Sequence, residues 1–105
     1  MKGMGNIMKQ AQRMKAELQR LQERMAHTRV EGSAGGGVVT AVADGNQNIV
    51  EVRLKPDIVD PEEIEMLQDL IVAAVNEARR RSQELMNQEM TKITGGLELN
   101  IPGLV

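Results

Sequence analysis

The sequence contains no cysteine, phenylalanine, tryptophan or tyrosine. Without thiols there is neither a disulfide framework nor a thiolate zinc site. Without aromatic rings there are no aromatic cages, no base-stacking platforms and none of the usual large interface anchors. Histidine occurs once, as His27, with no cysteine partner and no evident serine nucleophile. The longest purely apolar run, Leu70 to Val75, falls far short of the ~20 residues of a membrane span. The opening Met1-Lys2-Gly3-Met4-Gly5-Asn6 leads into no apolar signal core. These absences predict a cytoplasmic protein that is not an enzyme, holds no cofactor or metal and does not enter membranes.

What is present is a chain of 105 residues, 41% hydrophobic and 27% charged, with eight methionines. That composition belongs to a folded domain, and the length to one domain, here residues 1–105. The net charge of −2 conceals a polarised chain. Residues 1–29 carry seven basic side chains against Glu17 and Glu23, a balance of +5, while residues 30–105 carry −7. Such asymmetry points to a local polyanion-binding surface on an otherwise acidic protein.

From about residue 6 to 27 the chain lacks Pro and Gly and is rich in strong helix formers. Met4, Ile7, Ala11, Met14, Leu18, Leu21 and Met25 recur in steps of three and four, a heptad seam suited to packing along another helix. Strands are expected at about 28–33, 37–43 and 48–55, forming an antiparallel meander. Val50, Val52 and Leu54 share one face of the third, with Ile49 falling among the charged set of Glu51, Arg53 and Lys55. Strand two is apolar on both faces, so part of the second face is also expected to be covered. Asp44-Gly45-Asn46-Gln47 has hairpin chemistry, in which Gly and Asn tolerate positive φ. Gly32 to Gly37 lacks the Lys-Ser/Thr of a phosphate loop and leads into a strand, so it reads as a turn or a close backbone approach.

A second helix is expected at about 61–94, with Asp60 as N-cap, Pro61 in the first position, Glu63 closing a capping box and Gly95-Gly96 as a left-handed stop. A short tail, 95–105, follows. Such a helix is ~50 Å long, against ~27 Å for an eight-residue strand. The sheet cannot cover its far half, which carries Leu85, Met86, Met90 and Ile93. The first helix could fold back over it; a second copy of the chain is the simpler source. Met14, Leu18, Leu21, Met25, Leu85, Met86 and Met90 are therefore the candidate core or dimer seam. The fold class is α+β: long helix, three-stranded antiparallel meander, long helix, assembled as a homodimer.

Two basic groups are candidates for phosphate contact. Lys2, Lys9, Arg13 and Arg20, spaced by 7, 4 and 7, form a stripe opposite the apolar seam, flanked by Lys15 and Arg24. Arg79, Arg80 and Arg81 fan around the second helix, so no more than two reach one strand, and Glu77 or Glu84 can engage the third. An ordinary solvated helix face is the plainer alternative for the first, and in the second the spare arginine can instead lay its stem on apolar surface. Asp57, Asp60, Glu62, Glu63, Glu65 and Asp69 form an acidic run without an EF-hand pattern, favourable at a helix start in its own right.

Asn6-Ile7-Met8-Lys9-Gln10-Ala11-Gln12 opening a long helix, Val30-Glu31-Gly32-Ser33-Ala34-Gly35-Gly36-Gly37 before a strand, a Pro after the third strand, the run Leu67 to Ala78 and the tail Pro102-Gly103 follow in order. Over nearly the whole chain this resembles the YbaB/EbfC family of bacterial nucleoid-associated proteins. The resemblance implies a homodimer with protruding helical arms that binds double-stranded DNA in the nucleoid, with weak sequence preference. It also implies replication or recombination proteins as secondary partners. Lys55 departs from the family's pattern, where an acid precedes the Pro, and tunes a surface. A homodimeric adaptor that binds proteins and never DNA is the competing class.

Overall fold

A computed structural model describes residues 2–95. Helix α1 spans Lys2–Ala26, strands β1, β2 and β3 span Arg29–Ala34, Val39–Asp44 and Ile49–Leu54, and helix α2 spans Ile64–Thr94. One-turn 3-10 segments at Pro56–Ile58 and Pro61–Glu63 link β3 to α2. The strands form an antiparallel sheet in the order β1-β2-β3. α1 begins earlier than the sequence suggests, running through Gly3 and Gly5. Glycine weakens a helix by about 1 kcal/mol without forbidding it.

The core lies between one sheet face and α2. Val39, Ala41 and Ala43 of β2 are buried against Leu67, Ala74 and Ala78 of α2. Contact this close requires small residues. A Cβ on Gly32 would collide with the Ala78 backbone N and come within 2.7 Å of the Ala74 carbonyl oxygen. Both obstacles are helix backbone, which cannot rotate away. β2 is also buried on its outer side, where Val42 is 4% exposed between Glu31 and Glu51, as the two-faced pattern suggests.

A β-bulge changes one expectation. Glu51 pairs with Val42 but Ile49 pairs with Ala43, leaving Val50 as the extra residue. The insertion reverses the alternation, so Ile49 packs on the core side and not with the charged set. The caps differ as well. The Asp60 carboxylate accepts from the Glu62 N–H at 3.0 Å, capping the 3-10 turn. Glu63, at φ −125°, is the junction to α2 and makes no side-chain capping bond. Gly95 is right-handed, at φ −56°, while Gly96 and the tail 96–105 lie outside the described residues.

The β2–β3 turn joins the three layers. Its positive φ falls on Gln47, and Gly45 serves close approach instead: a Cβ there would meet Met25 Sδ at 2.6 Å. The Gly45 N–H donates to the Met25 carbonyl at 2.8 Å, and Asn46 Nδ2 donates to the Gln22 carbonyl at 3.2 Å. The fully buried Ser82 hydroxyl donates to the Asp44 carbonyl at 2.7 Å and accepts from the Gln47 N–H. The Asp44 carboxylate accepts from the Asn46 and Asn48 N–H groups and from Asn48 Nδ2. Burial pushes this carboxyl up. The Asn48 side chain, the two backbone N–H groups and the Arg29 charge outweigh that, and its pKa lies below the ordinary 3.8.

Two outcomes follow. Gly32→Ala should cost about 3 kcal/mol, the upper range for overpacking, measured by far-UV circular dichroism in urea. A depressed carboxyl pKa stabilises the fold fully above the unfolded value and is lost as pH falls through the folded one. Asp44→Asn should therefore lower stability by about 1–3 kcal/mol at pH 7. The difference from wild type should narrow below pH 3.8, the ordinary carboxyl value.

Candidate nucleic-acid interface

The position of α1 determines which of its cations are free. Leu21 and Met25 are 1% and 2% exposed, sealed between the β2–β3 turn and α2. Leu18 and Leu21 face Met86 and Met90 across a shallow cleft of about 280 Å³, with Gln22 and Asn46 at its rim. Met14, Leu18, Leu85 and Met86 are half-buried. Within one chain, the C-terminal half of α1 thus covers the far half of α2, the fold-back that the sequence left open beside a second copy.

Beyond Met14 that cover ends. Residues 3–13 are exposed throughout, while Arg20 already lies level with Lys92 and Ile93 near the end of α2. The first half of α1 projects as a free arm, and the chain measures 72 × 28 × 16 Å. Its radius of gyration, 19.6 Å, compares with ~13 Å for a compact chain of this length.

The basic residues fall into three environments. Lys9, Arg13 and Lys15 stand exposed on the arm, where residues 2–16 contain no acidic side chain. Lys2 opens the helix, and its side chain lies outside the described residues. Arg20 and Arg24 line a shared groove with Glu17, Glu89, Lys92 and Ile93. There Glu89, with a side chain 18% exposed, lies 3.6 Å from Arg24 and 3.4 Å from Lys92. Three cations against the carboxylates of Glu17 and Glu89 leave the groove positive by one.

The third environment is on α2. Arg80 pairs with Glu77 at 2.8 Å and with Glu84, and Arg81 pairs with Glu77 at 2.8 Å and donates to the Glu31 carbonyl. Hydrogen bonding from Arg80, against some burial and reinforced by both guanidinium charges, holds the Glu77 carboxyl below its ordinary value. Arg79 is exposed. Because Arg81 and Leu70 contact the β1 side, Arg79 lies on the opposite flank, toward β3. The two sequence candidates are thus unlike: the α1 cations are largely free, and those of α2 largely engaged. Glu77, which the sequence already offered as a partner for these arginines, and Glu89, which it did not, do most of the engaging. Their i,i+3 and i,i+4 spacing to Arg80, Arg81 and Lys92 was the available signal.

Among the described residues no group of acidic or histidine side chains could hold a metal ion, and no helix is long and apolar enough to cross a membrane. The fold is thus a helix–meander–helix chain with an exposed basic arm. The model of the YbaB/EbfC DNA-binding family matches residues 1–97, and the chain belongs to that family. A nucleoid-associated protein of Acetivibrio thermocellus is 54% identical over 94% of this chain and 87% of its own length. One from Moorella thermoacetica is 55% identical over 92% of this chain and 96% of its own. The crystal structure of an uncharacterized protein from Helicobacter pylori superposes with a TM-score of 0.73 at 22% identity, covering 88% of this chain and 94% of that one; it shares the fold.

Glu77→Gln should loosen Arg80 and Arg81, leaving Arg80 its bond to Glu84 and Arg81 its bond to the Glu31 carbonyl, without disturbing the helix. Duplex-DNA affinity, read by anisotropy of a dye on the DNA, is expected to rise about two- to fivefold. An unchanged affinity would place these arginines off the DNA path.

Proposed function

We propose that this chain is a nucleoid-associated protein that binds double-stranded DNA as a homodimer, chiefly through phosphates and with weak sequence preference. The observation that carries the reading is the arm of α1. It projects past α2, bears Lys9, Arg13 and Lys15 in the open and carries no acid before Glu17. A helix N-terminus favours acidic side chains, because its own dipole is positive there. α2 follows that rule, with Glu62, Glu63 and Glu65 at its entrance; α1 has none and places Lys2 there instead. Stability alone would not select this sign, whereas a polyanion ligand would.

The arm also fits in scale. Lys2 to Lys15 rises ~20 Å along the helix, a length over which one DNA strand presents about six phosphates. With no aromatic residue in the chain, stacking on bases contributes nothing, and preference comes from spacing and groove shape. The reading places the protein in the bacterial nucleoid with no catalytic role, alongside replication or recombination proteins.

An uncovered trough on the sheet supports dimerisation. Val52 and Leu54 share the α2-facing side by register with Ala41 and Val39, yet are 41% and 37% exposed, and Val50 is 47% exposed. α2 lies over β1 and β2, so β3 forms an apolar floor beside the flank of α2 bearing Ile71, Val72 and Val75. A second α2 related by a two-fold axis would fill it, at ~1.5–3 kcal/mol per large side chain covered. Two arms would then act on one duplex.

The test is a titration of labelled duplex at 50 and 200 mM salt, with sedimentation to count chains. A dimer contacting six to ten phosphates should lose about 10³–10⁵ in affinity between those salts. Lys9→Glu with Arg13→Glu should abolish binding while leaving a folded dimer. Val52→Asp should give monomers that bind more weakly. No binding at 50 mM salt would refute the DNA reading and leave the adaptor in its place.

A further inference from the structure

The apolar seam of α1 outruns its cover. Leu18, Leu21 and Met25 pack toward α2 and the β2–β3 turn. α2 ends at Thr94, one residue past Ile93, which shares a groove with Glu17 and Arg20. Toward the N-terminus the same heptad continues as Met4, Ile7, Ala11 and Met14. Among the described residues little covers it. Met4, Ile7 and the adjoining Met8 are 63%, 66% and 61% exposed, Ala11 is exposed and Met14 is half-buried.

The surroundings of this stripe restrict what can cover it. At roughly 100° per residue, its immediate flanks are Gly3, Met8 and Gln10, none of them charged. Lys15 stands beyond its C-terminal end, while Lys9 and Arg13 lie on the far side of the helix, ~140–180° away. An acidic partner docked on the stripe would therefore meet no cation. A bilayer that took up the stripe would leave Lys9 and Arg13 pointing away from its headgroups. The stripe does match itself. Laid antiparallel about a two-fold axis at position 9, two copies set Met4 opposite Met14 of the second copy, and Ile7 opposite its Ala11, large against small. The flanks then bring Met8 to Met8 and Gln10 to Gln10, with no like charges in contact. The helix axes of such a pair run about 8–10 Å apart, and the Lys9 and Arg13 of each arm face outward on opposite sides.

We propose that the arms of two DNA-bound dimers pair back to back through Met4, Ile7, Ala11 and Met14, so that the protein bridges two duplexes. The inference rests on the DNA reading above. Two arms of one dimer turn their basic faces to one duplex, which turns their apolar stripes outward to a second dimer. Coiled coils are sustained over about three to four heptads, and this stripe spans roughly one and a half. Free chains therefore do not pair through it; copies concentrated along DNA, with their cations met by phosphate, do.

Bridging is read at low salt with a bead-bound duplex and a second, dye-labelled duplex. The protein should carry the labelled duplex onto the beads. Met4→Gln with Ile7→Gln and Met8→Gln keeps good helix formers in the arm. It should reduce capture about tenfold or more, while affinity for one short duplex stays within about twofold. Equal capture by the variant, or binding of one duplex with no capture of a second, would overturn the pairing and leave the DNA reading intact. No binding of a single duplex would overturn both. Cross-linking gives a second reading with the stripe otherwise unchanged, in a chain that has no native cysteine. On DNA, Met8→Cys should be joined between chains by a short bis-maleimide about tenfold faster than Asn6→Cys, which is turned away from the stripe. Equal rates at the two positions, each normalised to its labelling by a mono-maleimide, would assign the stripe to another occupant and overturn the proposal.

Discussion

The β2–β3 turn holds the whole arrangement. Ser82 ties it to α2, the Gly45 N–H and Asn46 side chain tie it to α1, and the Asp44 carboxylate binds the turn to itself. The Ser82 bond is buried and those of the Asp44 carboxylate are part-buried, where an unmet polar group costs most. Their consequence is directional. With Met25 locked over Gly45, α1 must leave the sheet along the far half of α2 and pass beyond its end. The free basic arm is thus set by a turn far from its cations.

The same geometry sorts the charges. Where α1 and α2 run side by side, carboxylates stand between the cations, as Glu89 does between Arg24 and Lys92. On the sheet side of α2, Glu77 serves Arg80 and Arg81. Past the end of α2, Lys9 and Arg13 stand exposed on a stretch, residues 2–16, that carries no acidic side chain. Exposed pairs contribute little to stability; here they neutralise cations along the body and leave the positive potential at the arm. A chain with a net charge of −2 can present a cationic tip because its charges are separated along 72 Å, several Debye lengths at physiological salt.

Much of this was legible from residue patterns. The helices, the meander and the early basic stripe follow from periodicity and from charge counted by segment, and the family from the order of its motifs. What escaped depended on contacts between segments distant in sequence. The bulge at Val50 is invisible to strict alternation, yet it moves Ile49 across the sheet. Gly45 looked like a source of positive φ, but its role is room for Met25, and Gln47 takes the left-handed conformation. Ser82 sits four residues after Ala78 on the buried face of α2, a polar side chain on an apolar stripe. That was the one hint of a buried polar joint.

The helical seams show why composition could not choose between fold-back and assembly. Both the α1–α2 packing within a chain and a helix pair between chains satisfy the same heptads. The turn decides in favour of fold-back by fixing where α1 crosses α2. Once the far half of α2 is covered from within the chain, the apolar surface left over lies elsewhere, on Val50, Val52 and Leu54 of β3 and on the first turns of α1. The two remaining apolar surfaces have separate origins: one strand edge that α2 leaves bare, and one helix that runs on past the end of its partner.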